Sequence, residues 1–119
     1  MIAGAYEAAG FEVTLTPRSG DLGRDVIAVK KGLVAIRILE QVKAYKPGHL
    51  VSAQEVQSML GVASGDRNCS KVVVTTTSGF APKIAEHPGI QPFIPYRLEL
   101  RPGDELIPWL NTIKEGNAI

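Results

Sequence analysis

Apolar and polar positions alternate along the chain in two periods, and the switches between them mark the predicted elements. Residues 2–9 are rich in Ala and end at Gly10, which reads as the tail of a helix with glycine just past its last turn. Phe11, Val13 and Leu15 then alternate with Glu12, Thr14 and Thr16 until Pro17, so residues 11–17 predict a strand. Ser19-Gly20-Asp21-Leu22-Gly23 is turn-rich. Two further strands are predicted over 25–31 and 35–43, with Gly32 in the connection.

After Lys46-Pro47-Gly48 the pattern becomes helical. Ser52-Ala53-Gln54-Glu55 is a capping box, Val51 and Val56 are placed as a hydrophobic staple, and Val56, Met59, Leu60 and Ala63 share one face. A helix over 52–64 follows. Residues 71–76 carry a β-branched run suited to the centre of a sheet. Ser78 is placed to cap a short helix that stops at His87-Pro88-Gly89. Tyr96, Leu98 and Leu100 alternate with Arg97, Glu99 and Arg101 beside Pro92 and Pro95, an edge-strand pattern. Asp104 to Ile113 is a last helix that packs Leu106, Trp109, Leu110 and Ile113. The order α-β-β-β-α-β-α-β-α predicts an α/β fold, a mixed sheet flanked by helices. Strand 35–43 should lie beside strand 71–76, joined through helix 52–64 by a right-handed parallel crossover.

Composition narrows the class. The chain has 119 residues, 45% hydrophobic and 21% charged, with net charge +1, so a disordered chain is excluded. No repeat or linker divides it, and residues 1–119 are expected to form a single domain. No apolar run is long enough to span a membrane, and no basic region opens a signal peptide. The single Cys69 excludes an internal disulfide. An intracellular, cytoplasmic protein is expected. The near-neutral total hides a local bias: from Arg18 to Lys46 seven bases face three acids, while the remainder holds six bases and nine acids. That segment reads either as the footprint of a polyanion or as solvated strand and loop charge.

The residues that suggest chemistry are Asp25 and the run Glu40-Gln41-Val42-Lys43. Alternate side chains of a strand share a face, so Gln41 and Lys43 point one way and Glu40 and Val42 the other. If Gly32, Leu33 and Val34 form a three-residue hairpin loop, Asp25 falls opposite Gln41. Cross-strand neighbours lie about 5 Å apart at Cβ, so a carboxylate, an amide oxygen and an ammonium converge on one patch. Oxygen donors of this kind suit a hard divalent cation, and a lysine beside it can orient water or stabilise charge on phosphate. The plain alternative is a surface Asp–Lys pair across a hairpin.

Gly20-Asp21-Leu22-Gly23-Arg24-Asp25-Val26-Ile27-Ala28, then Gln41-Val42-Lys43-Ala44-Tyr45-Lys46-Pro47-Gly48, resembles the catalytic core of Mrr-type restriction endonucleases, within the PD-(D/E)XK nuclease superfamily. The resemblance extends to Gly10-Phe11-Glu12-Val13 and to Val74-Thr75-Thr76-Thr77-Ser78-Gly79-Phe80, roughly residues 4–85. It implies a restriction-endonuclease-like fold with an α-β-β-β-α-β core. Asp25 matches the metal-binding aspartate, Gln41 the position of the second acid, and Lys43 the catalytic lysine. The carbonyl of Val42 is expected to complete a site for Mg²⁺ or Mn²⁺, and Asp21 to shape its loop. A glutamate of the family's first helix has no counterpart here, since its position falls ahead of Met1 and Glu7 does not match it. The separate amino-terminal DNA-binding domain of many such enzymes is also absent from these residues.

The function implied is a metal-dependent DNA endonuclease of the type IV restriction kind, prokaryotic and without a small-molecule cofactor. A Holliday-junction resolvase-like nuclease and a non-catalytic DNA-binding module on the same fold are the alternatives; the unmatched glutamate favours the last, and the Asp25–Gln41–Lys43 set opposes it. Arg18, Arg24 and Lys46 flank the site and are candidate DNA-backbone contacts or solvated charge. Thr77 and Ser78, at the end of a strand, are candidates to hold a phosphate or to cap the following helix. Tyr45 can stack on a base or pack, and His49 and His87 make no convincing zinc set. Binding is expected to follow the DNA backbone with little sequence preference. Cutting both strands of a duplex calls for two sites, so a two-fold homodimer is expected, through the surface near Trp109 or the strand around Tyr96. The alternative is a monomer that nicks one strand at a time.

Overall fold

The computed structural model describes residues 2–16 and 25–114. Helix α1 (Ile2–Ala8) buries Ile2 and Tyr6 on one side. It ends as its sequence predicts: Gly10 takes a φ of +93°, its N–H donates to the Glu7 carbonyl, and the Phe11 N–H donates to the Tyr6 carbonyl. That closure brings Phe11 edge-on to Tyr6, with ring centres 5.4 Å apart.

The strands form one five-stranded sheet of order β1-β2-β3-β4-β5: β1 (Glu12–Leu15), β2 (Asp25–Lys30) and β3 (Ile36–Lys43) pair antiparallel with one another in turn, and β4 (Lys71–Thr76) and β5 (Leu98–Arg101) continue parallel to β3. The hairpin between β2 and β3 has the expected register, with Lys30 opposite Ile36 and Asp25 opposite Gln41. Helix α2 (Ala53–Ser64) links β3 to β4. The capping box is present in full: the Ser52 hydroxyl accepts from the Glu55 N–H, and the Glu55 carboxylate accepts from the Ser52 N–H. The two staple residues, Val51 and Val56, are completely buried.

The two faces of the sheet carry separate cores. On one, Leu39, Val72, Val74 and Leu98 pack with Val51, Val56, Met59, Ile84 and Ile90. On the other, Val26, Ala28, Ile38 and Val73 pack with Ile2, Tyr6 and Phe11, and with Leu106 of helix α3 (Gly103–Lys114). Among the described residues no helix is long and apolar enough to cross a membrane.

One predicted element is absent. No α-helix begins at Ser78. Phe80 instead forms an isolated parallel bridge with Val51, fixed by Val51 N–H to Gly79 carbonyl and Ala81 N–H to Val51 carbonyl bonds. Lys83 then turns to a φ of 60°, a conformation no α-helix continues, and only two single-turn 3₁₀ segments follow, Ile84–Glu86 and Gln91–Phe93. Pro82, Pro88, Pro92 and Pro95 remove the donors a longer helix needs. A cap signal is local; the strand-like pairing of Phe80 with a residue far back in the chain overrides it.

Candidate active site

Strand β3 positions the candidate residues. Its neighbours on both sides, β2 and β4, hold it centrally, so side chains on either face are enclosed along most of its length. Gln41 and Lys43 share the face on which α2 packs; Glu40 and Val42 take the face covered by α1 and α3, where Val42 joins the second core. The predicted separation of Glu40 from Gln41 and Lys43 holds. Asp25 stands directly across from Gln41 in the β2–β3 ladder. Gln41 is half-buried.

Lys43 is 2% exposed. Its carbonyl closes the strand end by accepting from the Tyr45 N–H (3.0 Å), the Thr77 N–H (3.2 Å) and the Thr76 hydroxyl (2.8 Å). Its ammonium makes no hydrogen bond or ion pair with any described residue. An enclosed lysine whose ammonium no described residue bonds suits an anion that arrives from outside.

Glu40 behaves differently. It is fully enclosed, and its Oε1 accepts from the Thr75 hydroxyl at 2.8 Å. The Arg101 guanidinium stands 3.6 Å away, bonds Glu99 at 2.8 Å, and lies 3.8 Å over the Trp109 ring. Glu40 Oε2 has no partner among the described residues. Burial pushes the Glu40 carboxyl up to about 8, only partly offset by Arg101 and the Thr75 bond, so the acid is largely protonated at neutral pH. The Tyr6 phenol on the same face is also raised above its ordinary range, by burial first and by Glu40 second. This paired network, spread over β3, β4, β5 and α1, was not legible in the sequence beyond the direction in which Glu40 points.

Thr77 and Ser78 do lie at the strand end beside Lys43, but with no helix behind them. Their hydroxyl hydrogens go to carbonyls: Thr77 donates to Tyr45 at 2.8 Å and Ser78 to His49 at 2.7 Å. They tie the β3–α2 loop to the end of β4. Gly103 seals the same corner, since a Cβ there would stand 2.5 Å from the Thr77 carbonyl oxygen. Lys46 is exposed on that loop. Glu7 is exposed on α1. Arg18, Asp21 and Arg24 lie outside the described residues, and of Asp25 only the backbone placement is described.

Comparison with known proteins gives the same frame. The Mrr_cat family model, described as restriction endonuclease, matches residues 1–110. Among solved structures, the DNA modification-dependent restriction endonuclease AspBHI is similar in fold, with a TM-score of 0.63 at 17% identity. The match covers 96% of this chain and 34% of that one, so the chain spans about a third of that enzyme's length. No curated protein sequence matches. The mixed five-stranded sheet with its flanking helices is thus a restriction-endonuclease fold.

Proposed function

This chain belongs to the Mrr_cat restriction endonuclease family, and from that premise we propose that it is a metal-dependent DNA endonuclease whose site is Asp25, Gln41 and Lys43. The observation that carries the reading is the β2–β3 register, which sets position 25 across from position 41 with Lys43 two residues further along β3. The donor set fits a hard divalent cation: a carboxylate at 25, an amide oxygen at 41 and the main-chain carbonyl of Val42 are all oxygen ligands of the kind Mg²⁺ and Mn²⁺ take. Such an ion, when bound, polarises the phosphodiester and makes water a better nucleophile.

The protein's own part follows from burial and charge. Lys43, enclosed and without a described protein partner, donates to a phosphate oxygen and stabilises the charge that grows there as water attacks. The low-dielectric surroundings strengthen that contact relative to one in water. Lys46, with Arg18 and Arg24, supplies backbone contacts, which predicts binding that weakens steeply with salt. Thr77 and Ser78 act on DNA through the loop they hold.

The test is incubation of supercoiled plasmid with the protein in Mg²⁺ and then in EDTA. Cleavage should require the metal, and Asp25→Ala should abolish it. Cutting by that variant at the wild-type rate would place the activity elsewhere. A two-fold homodimer is part of the same reading, since one set of site residues per chain reaches one strand. Tyr96, 85% exposed beside the edge strand β5, is its candidate contact. Sedimentation at micromolar concentration, with and without DNA, separates dimer from monomer.

A further inference from the structure

The loop between β3 and α2 is more ordered than its Pro-Gly sequence suggests, and it ends beside the site. From Ala44 to Leu50 it carries Lys46 and His49 and no acid. Gly48, at a φ of +85°, allows the turn in which the His49 N–H donates to the Lys46 carbonyl at 3.0 Å. The Ser78 hydroxyl donates to the His49 carbonyl, the Ser78 N–H donates to the Thr76 hydroxyl (3.1 Å), and that hydroxyl donates to the Lys43 carbonyl (2.8 Å). Three hydrogen bonds in series therefore connect His49 to Lys43. Successive phosphates of one DNA strand rise about 3.4 Å along the helix axis, so a loop tied to the Lys43 strand end is placed to meet a phosphate that flanks the one at Lys43.

The His49 ring is held as firmly as its backbone. It lies flat on Tyr45, with ring centres 4.2 Å apart and planes 6° from parallel. The Tyr45 hydroxyl donates to Glu55 Oε1 at 3.0 Å, while Glu55 Oε2 accepts from the Ser52 N–H. Both carboxylate oxygens are thus engaged, and Glu55 enriches the phenol face on which the imidazole rests. Such a face favours a cation. His49 itself is exposed, and its ring nitrogens bond no described residue. The charged groups around it are Lys46 on its own loop, Lys43 at the strand end and Glu55 on α2, behind Tyr45.

We propose that His49 is a DNA-backbone contact, donating from its ring to a phosphate that flanks the one at Lys43, with Tyr45 as the platform that holds the ring in position. The proposal rests on the reading of this site as a nuclease site and adds to it a residue outside the Asp25–Gln41–Lys43 set. A preordered donor loses little freedom on binding, which is why a stacked ring serves better here than a free lysine.

The test is binding of a duplex of about twenty base pairs in EDTA over a range of salt. His49→Gln should weaken binding about threefold to tenfold and reduce the slope of log affinity against log salt by about 0.9, one phosphate contact. Its thermal midpoint should match the wild type, because the side chain is exposed. A slope equal to the wild-type slope, whatever the affinity, overturns the proposal, as does wild-type protein that binds no duplex. Plasmid cleavage is followed in parallel. Cleavage with an unchanged slope sinks the contact and leaves the nuclease; a reduced slope without wild-type cleavage sinks the nuclease and leaves the contact.

Discussion

Two charged residues three positions apart on one strand, Glu40 and Lys43, are buried to nearly the same degree and held in opposite ways. Glu40 faces a closed layer in which Thr75, Arg101, Glu99, Trp109 and Tyr6 surround it with partners from four other elements. Lys43 faces the other layer with its carbonyl triply bonded and its ammonium bonded to no described residue. Burial alone therefore does not distinguish structure from function. The distinction lies in whether the fold itself completes the group. A buried acid that holds its proton and bonds Thr75 and Arg101 serves the fold; an ammonium that no described residue bonds is open to a ligand.

If that contrast is right, breaking the two sides should give opposite phenotypes. The largest effect is expected at Arg101. Arg101→Met removes the bond to Glu99, the attraction to Glu40 and the stack on Trp109, and should cost about 3–5 kcal/mol in chemical denaturation. Replacing both side chains, Glu40→Leu with Arg101→Met, should recover part of that loss, because no buried carboxyl is then left facing the lost guanidinium. A double variant no more stable than the single would show that Arg101 acts through Glu99 and Trp109 alone. At Lys43 the order reverses. Lys43→Met should leave stability unchanged or slightly higher, yet lower plasmid cleavage about a hundredfold or more. A large fall in its thermal midpoint would mean that Lys43 belongs to the fold after all.

The pH dependence sharpens the same contrast. The folded-state Glu40 carboxyl lies near 8, above its ordinary value of 4.5. The folded protein thus holds a proton that the unfolded chain releases, and the associated stability is present in full below about pH 4.5. It is lost as pH rises through 8. Denaturation midpoints should fall between pH 5 and pH 8 by an amount corresponding to about 3–4 kcal/mol. Glu40→Gln, which keeps an acceptor for Thr75 and carries no charge, should flatten that slope. Asp66, held below its ordinary range by Arg37, has the opposite effect and only on the acid side of this window. A slope that survives in Glu40→Gln would assign the titration to another group.

How much of this was readable beforehand follows from the range of the interactions. The Asp25–Gln41 register was legible because a three-residue loop and a two-residue alternation determine it between them. The capping box at Ser52 was legible because all its partners lie within one turn. The Ser78 helix failed because its cap signal is local, whereas the Phe80–Val51 bridge is formed between distant residues. Alternation gave the side of Glu40 but not its partner, since Arg101 arrives from β5 by way of two parallel crossings. The Tyr45–His49 stack depends on the exact path of the chain through Pro47 and Gly48, which no periodicity encodes.

The smallest expected effect concerns the hydroxyls at the end of β4, and it decides how the Lys43 side of β3 is built. Ser78 was expected to bind phosphate or to cap a helix; its hydrogen instead goes to the His49 carbonyl at 2.7 Å. Ser78→Ala removes that bond and the contact with the Thr76 hydroxyl, and should cost about 1 kcal/mol of stability. If Ser78 serves DNA only by holding the loop, its effect on duplex binding passes through His49. The binding loss seen in Ser78→Ala should then disappear when the substitution is made in His49→Gln protein, a coupling that a double-mutant cycle reads directly. A loss of the same size in both backgrounds would mean that Ser78 meets the phosphate itself, its hydrogen turned from the His49 carbonyl to a phosphate oxygen. The first outcome makes the hydroxyl part of the scaffold that presents the ring, just as Thr75 is part of the scaffold that encloses Glu40 on the opposite face.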